Sequence, residues 1–153
     1  MAVLEIGINL GTKKILEIRY YSSTDNVLDP KLRALFLNGL DDFINEVFGD
    51  EINVISLSSF EIICYSKIVQ FSIKDRNEFL PLLTFAIIEK GTDHDFVKQH
   101  LKKIYSLFIE SYDLSDIFMK KSKFFKDFEP QIDKILGDLR FKLDDRIRTL
   151  FKD

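Results

Sequence analysis

The order of hydrophobic patterns constrains the fold of this chain more than any other feature. Apolar and polar residues alternate over residues 3–10 and again over residues 16–20, with Gly11 and Thr12 between them, and this pattern predicts a β-hairpin. Asp29 then supplies an N-cap, and Pro30 occupies the first helical position, where a missing N–H costs nothing. A helix over residues 30–48 is therefore predicted.

A region rich in Ile, Val, Phe and Ser follows, without Gly or Pro from residue 52 to residue 73. We interpret it as one long or bulged strand over residues 52–65 and a second strand over residues 68–73. The charged residues 74–81, which end in proline, indicate a loop. Residues 82–88 form a nearly continuous apolar run, which is typical of a strand covered on both faces.

Two helical patterns complete the chain. Asp93 is predicted to cap the first of them, and the last helix is predicted to start near Pro130. The apolar stripe of the first consists of Val97, Leu101, Ile104, Phe108 and Tyr112. The stripe of the last consists of Ile132, Leu136, Leu139, Leu143, Ile147 and Leu150.

Length and charge limit the classes of protein. A chain of 153 residues fits a single domain, residues 1–153. The net charge of −3 gives no broad basic footprint, so nucleic acid is not expected as a partner. One cysteine forms no internal disulfide, which favours a reducing cytoplasm. No apolar run approaches the roughly 18 residues that span a bilayer, so we expect peripheral membrane contact at most.

No residues with a catalytic or cofactor-binding arrangement are found. Residues 6–12 resemble the first phosphate-binding hairpin of the actin and heat-shock-protein-70 ATPases, but Asn9 lacks the charge of the acid expected there, and we interpret the glycines as turn residues. His94 and His100 are six residues apart, which does not suit one metal ion. Cys64 is interpreted as a packed thiol. We therefore expect no enzyme activity, cofactor or metal.

A basic cluster near the C-terminal end allows two interpretations. Its lysines alternate with large apolar residues, which are Phe118, Met119, Phe124 and Phe125. The lysines are Lys120, Lys121, Lys123 and Lys126. Such a cluster could hold an anionic membrane surface, or it could be a solvated loop whose aromatic side chains pack on the domain.

The predicted helix over residues 30–48 has an unusually wide apolar face. Its main stripe comprises Leu32, Phe36, Leu40, Phe43 and Val47. Leu37, Ile44 and Phe48 extend this stripe to one side. The extra residues either meet a neighbouring loop or form an exposed patch for a partner. The second alternative predicts a partner-binding site at Leu37, Asp41, Ile44 and Phe48.

Over nearly the whole chain, the order ββαβββαα resembles the longin domain, a relative of the profilin-like and roadblock folds. Three features carry the resemblance: the hairpin that begins at residue 3, the Asp29-Pro30 helix start, and residues 124–130 at the entry to the final helix. The resemblance implies an α/β fold of the α+β type. Its five-stranded antiparallel sheet would have one helix on one face and two on the other.

The resemblance also implies a function. Longin-like domains serve as platforms in membrane traffic and small-GTPase regulation, so we expect a non-enzymatic adaptor that binds a Ras-like small GTPase or another longin or roadblock protein. The third strand, with Phe60, Ile62 and Cys64, is expected at a sheet edge where two copies could form a homodimer. The alternative is a small-ligand or sensory domain of profilin or PAS type, which needs a polar-lined cavity.

Overall fold

A β-hairpin opens the described part of the chain. In the computed structural model, which describes residues 3–20, 53–56 and 60–140, β1 (Val3–Leu10) pairs antiparallel with β2 (Lys13–Arg19). Gly11 adopts a φ of +57° in the turn, a conformation that glycine reaches without steric cost. Its amide donates a 2.8 Å hydrogen bond to the carbonyl oxygen of Pro81. The predicted hairpin is therefore confirmed.

The remaining strands are antiparallel to their neighbours. They are β3 (Asn53–Ser56), β4 (Phe60–Ile73) and β5 (Arg76–Glu89), and the order across the sheet is β2-β1-β5-β4-β3. Residues 82–88 of β5 are all buried, although successive side chains point to opposite faces. The prediction that this run is a strand covered on both faces is confirmed.

The predicted five-stranded sheet followed by two helices is wrong, although the α+β type is as predicted. Four long antiparallel strands, β1, β2, β4 and β5, form the body of the sheet, and β3 adds only 4 residues along one edge. Within residues 90–140, three α-helices follow the sheet, where two were predicted. No Gly or Pro interrupts Phe60–Ile73, so this segment forms a single strand of 14 residues in place of the predicted strands at 52–65 and 68–73. The described elements are of the α+β class.

The residues predicted at a sheet edge lie inside the sheet. Phe60, Ile62 and Cys64 belong to β4, which pairs with β5 along its whole length and with β3 at residues 61–64. All three side chains are buried. The predicted edge position is wrong because β3 occupies the edge of the sheet next to β4.

The helical part packs on one face of the sheet. It contains α1 (His94–Ser111), α2 (Leu114–Met119) and α3 (Glu129–Leu136), together with 3-10 helices at Ser122–Phe128 and Gly137–Arg140. Asp93 caps α1 as predicted, since its Oδ1 accepts a 3.1 Å hydrogen bond from the amide of Phe96. The buried residues of α1 are Val97, Leu101, Ile104, Tyr105 and Phe108.

An aromatic cluster joins α1 to the chain that follows it. The Phe108 ring lies 5.7 Å from the ring of Phe125 and 5.1 Å from the ring of Phe128, both measured between centroids. Tyr112 lies 5.0 Å from Phe125 in an edge-on arrangement. These spacings are those of favourable aromatic pairs. The first 3-10 helix is therefore fixed to α1 by its inward-facing rings.

The last predicted helix is shorter in the structure than in the prediction. It was expected to run from Pro130 through Leu150, but α3 ends at Leu136. Gly137 then adopts a φ of +53° and a ψ of −126°, a backbone conformation that glycine reaches because it has no Cβ atom. Leu143, Ile147 and Leu150 lie outside the described residues.

The helix predicted over residues 30–48 also lies outside the described residues. So do the residues predicted to bind a partner on it, Leu37, Asp41, Ile44 and Phe48. Their assignment stays a prediction.

Candidate interaction surfaces

The two longest strands extend beyond their neighbours. β3 pairs with β4 only over residues 61–64, and β1 pairs with β5 only as far as Leu82. Residues 66–81 therefore form a two-stranded ribbon, which we call the β4–β5 ribbon. Among the described residues, no strand pairs with its two outer edges. An unpaired edge exposes N–H and C=O groups that can accept a further strand.

The β4–β5 ribbon has one exposed apolar face. The register places Ile68 opposite Pro81 and Gln70 opposite Phe79, so these four side chains share a face, which we call the ribbon face. Ile68 is 41% exposed and Phe79 is 60% exposed. Large apolar side chains at this exposure, next to an open backbone edge, are typical of a surface that another protein covers.

The opposite face of the β4–β5 ribbon is anchored to the helical part. Phe71 is buried, and its ring lies 5.1 Å from the ring of Phe118, which directly precedes the last residue of α2. Val69 is buried on the same face. Packing of the opposite face against the helical part therefore fixes the position of the ribbon face.

A two-residue turn closes the β4–β5 ribbon. Lys74 and Asp75 have φ values of +50° and +63°, which is the backbone sign of the type I′ turns that match the twist of a hairpin. The predicted loop over residues 74–81 is wrong, because the turn is confined to these two residues and β5 begins at Arg76. The predicted loop therefore included the first residues of β5, which carry Phe79.

A buried carboxylate lies where α1 begins. Glu61 of β4 is 7% exposed, and its Oε1 lies 3.0 Å from Nε2 of His94. The Ser56 hydroxyl donates a 2.8 Å hydrogen bond to its Oε2. These hydrogen bonds, that from His94 first, hold the pKa of Glu61 below its usual range, although burial opposes them. The hydrogen bonds of Glu61 therefore connect β3, β4 and the start of α1.

The glycine-rich hairpin does not form an open cradle for phosphate. A Cβ atom at Gly7 would overlap the ring of Phe85, which lies across the glycine from the neighbouring strand. Asn9 is 4% exposed, and its Oδ1 has no hydrogen-bond partner among the described residues. The Gly11 amide already binds the Pro81 carbonyl. Gly11 is a turn residue as predicted, whereas Gly7 lies within β1 and is explained by the packing of Phe85.

Cys64 and the histidines show no arrangement for chemistry. Burial raises the pKa of the Cys64 thiol to about 12, which disfavours the reactive thiolate. His94 binds Glu61, whereas His100 Nδ1 lies 2.7 Å from the carbonyl oxygen of Phe96 on its own helix. Among residues 3–20, 53–56 and 60–140, no group of three or more His, Cys, Asp or Glu side chains could hold a metal ion.

The exposed lysines of the basic cluster surround two exposed apolar side chains. Met119 is 65% exposed and Phe124 is 45% exposed. Phe125, in contrast, is fully buried and Phe118 is partly buried. The aromatic residues thus divide between the two interpretations, because some pack on the domain and others face solvent.

Comparisons with known proteins add no identification. No protein-family model matches the chain, and no curated protein matches it at a significant level. In the part of the chain that the structure describes, no helix is long and apolar enough to cross a membrane. A functional assignment therefore depends on the surfaces described above.

Proposed function

We propose that this chain is a non-enzymatic protein-interaction module of the longin type, which binds a Ras-like small GTPase or another longin or roadblock-type protein in the cytoplasm. The ribbon face and the adjoining open edge of β4 form its docking surface. The observation that carries this proposal is the exposure of Ile68 and Phe79 beside a strand edge that no other described strand pairs with.

Strand addition suits this surface physically. A partner strand laid along β4 would satisfy the outward backbone groups of residues 66–73, and main-chain hydrogen bonds would supply affinity. Ile68 and Phe79 would supply the apolar anchors that dominate most interfaces, while Gln70 would lie between them. The hairpin β1–β2, shared with the longin resemblance, lies at the other side of the sheet and leaves this edge accessible.

The alternative function, a small-ligand or sensory domain, has less support. Such a domain needs an enclosed polar cavity. Two of the grooves that described residues line have volumes of about 290 Å³ and 410 Å³, and both are open to solvent. Phe85, Phe108, Phe125 and Phe128 are all essentially fully buried and fill interior space. These observations favour a protein partner over a sequestered ligand.

Affinity measurements with defined partners test the proposal. The purified chain is titrated against Ras-like GTPases loaded with GDP or with a non-hydrolysable GTP analogue, and against longin and roadblock-type proteins. We expect Phe79→Asp to weaken the bound complex by about 2 kcal/mol or more, as for an interface hot spot. Phe96→Asp is the matched control, because Phe96 is 49% exposed on α1. Equal affinity of both variants would exclude the ribbon face.

A further inference from the structure

A second surface, separate from the β4–β5 ribbon, combines positive charge with exposed apolar side chains. We call residues 119–126 the basic-aromatic loop. It holds four lysines and no acidic residue, a local charge of +4 in a chain whose net charge is −3. The lysines are Lys120, Lys121, Lys123 and Lys126, and all four are exposed. The positive charge is therefore concentrated on one short segment.

The geometry of the 3-10 helix Ser122–Phe128 sorts its residues onto three sides. With three residues per turn, Phe125 and Phe128 lie on one side, and both are buried. Lys123 and Lys126 share the second side, and Phe124 lies on the third together with Asp127. Charged and apolar side chains that point away from the core therefore come from adjacent sides of one turn.

Lys120 lies on the same part of the surface as Phe124. Its Nζ is 5.4 Å from the centroid of the Phe124 ring, which is within cation-π range. Met119, the last residue of α2, is even more exposed than Phe124. A charged head and two apolar side chains thus protrude together.

The basic-aromatic loop is held by hydrogen bonds to the hairpin. Lys13 of β2 donates through Nζ to the carbonyl oxygens of Ile117 at 3.0 Å and Phe118 at 2.9 Å, and also to that of Lys120. The Ser122 hydroxyl donates a 3.0 Å hydrogen bond to the carbonyl oxygen of Lys14. Exposure of Met119 and Phe124 is thus imposed by the fold.

From this arrangement we propose that the basic-aromatic loop docks the protein on an anionic membrane surface. Met119 and Phe124 enter the interfacial region, and the four lysines lie among the acidic headgroups. Charge complementarity selects this occupant, because lysines near an anionic bilayer each contribute to binding and Met119 and Phe124 are exposed beside them. The loop is flanked in sequence by Asp116, Asp127 and Glu129, so its positive charge is limited to a short segment, which is too small a footprint for a nucleic acid.

Vesicle co-sedimentation tests the proposal. The full chain is mixed with vesicles of phosphatidylcholine alone or with about 30% phosphatidylserine, a composition whose surface attracts polybasic segments. We expect binding only with phosphatidylserine, and loss of binding at high salt. Lys123→Glu with Lys126→Glu should weaken binding by at least about thirty-fold. The charge-matched control is Lys102→Glu with Lys103→Glu on α1, both of which are exposed.

A fluorescence experiment locates the inserted side chain. The chain contains no Trp, so Phe124→Trp introduces a unique fluorophore, and Phe96→Trp places the same reporter on α1. We expect the emission of Phe124→Trp to shift to shorter wavelength with phosphatidylserine vesicles and that of Phe96→Trp to stay unchanged. Equal binding to both vesicle types, unchanged binding of the Lys123/Lys126 variant, or binding to duplex DNA without binding to vesicles would each overturn the proposal.

Discussion

The hydroxyl of Tyr20 donates a 2.6 Å hydrogen bond to Oδ1 of Asp133 and thereby joins the end of the N-terminal hairpin to α3, 113 positions further along the chain. Asp133 also lies 3.9 Å from Nη1 of Arg140, just beyond α3. Burial and the hydrogen bond to Asp133 raise the pKa of Tyr20, because both disfavour the phenolate. The folded protein therefore favours the neutral hydroxyl form of Tyr20.

Tyr20→Phe removes this contact and is expected to lower the free energy of unfolding by about 2 kcal/mol, the usual contribution of a hydrogen bond to a charged acceptor. Urea unfolding at neutral pH measures it. The native pKa of Tyr20 lies above the unfolded value near 10, so the contribution is present below pH 10 and is lost as pH rises further. Tyr112→Phe is the control, since the Tyr112 hydroxyl has no hydrogen bond to another described residue. Equal losses of unfolding free energy in the two variants would contradict a stabilising role for the Tyr20–Asp133 hydrogen bond.

Gly7 is required by the ring above it. We expect Gly7→Ala to destabilise the protein by about 1–3 kcal/mol, because its Cβ would overlap Phe85 in a packed interior. Phe85→Leu removes the overlap while leaving a smaller apolar side chain. If the account is correct, Gly7→Ala costs much less in the Phe85→Leu background than in the natural sequence. Strictly additive effects in the double-mutant cycle would argue against it.

The elements that sequence patterns predicted best are those whose burial is uniform. All of β1 and residues 82–88 of β5 are buried; β1 still alternates in sequence because its second face carries Glu5, Gly7 and Asn9. β4 changes pattern along its length: Phe60–Tyr65 is buried on both faces, whereas residues 66–73 alternate. In the sequence this change of pattern resembles two separate strands, although β4 is one continuous strand.

The β4–β5 ribbon could not be predicted for a different reason. Exposure of Phe79 depends on where β1 and β3 stop, and these end points are set by tertiary packing. Val69, Phe71 and Ile73 alternate with polar residues in the sequence, but this alternation marks the anchored face. A charged stretch before Pro81 resembles a loop unless its antiparallel partner is known. By contrast, the basic-aromatic loop is visible in composition, and only its geometry separates the buried rings from the exposed ones.

Glu61 should contribute to stability in a pH-dependent manner. Glu61→Gln weakens its hydrogen bonds with His94 and Ser56 and is expected to destabilise the protein at pH 7. The native pKa of Glu61 is lowered, so the stabilisation is present above the unfolded value near 4.3 and is lost as pH falls through the native value. Unfolding free energies from pH 7 down to about pH 3 measure the difference. Glu110→Gln, at an exposed position, is the control; a constant Glu61→Gln effect across this range would refute the assignment.

Neighbouring lysines of β2 provide a matched pair. Lys13→Met removes the donor that binds the last carbonyl oxygens of α2, and we expect a loss of about 1.5–3 kcal/mol together with faster amide exchange around residues 117–120. The side chain of Lys14 is 59% exposed, and its ion pair with Glu17 is 3.7 Å long, so Lys14→Met should change stability by less than about 1 kcal/mol. Similar effects for both variants would show that the Lys13 contacts do not stabilise α2.

Amide hydrogen exchange across the complex tests the central claim, that the β4–β5 ribbon is the docking surface, most directly. Exchange is measured for the free chain and for the chain saturated with the small GTPase or longin or roadblock-type protein that binds it. The account predicts that alternate amides of residues 68–72 in β4 become protected, since a partner strand would accept their hydrogen bonds. Protection confined to other parts of the chain, with these amides exchanging as fast as in the free protein, would contradict it.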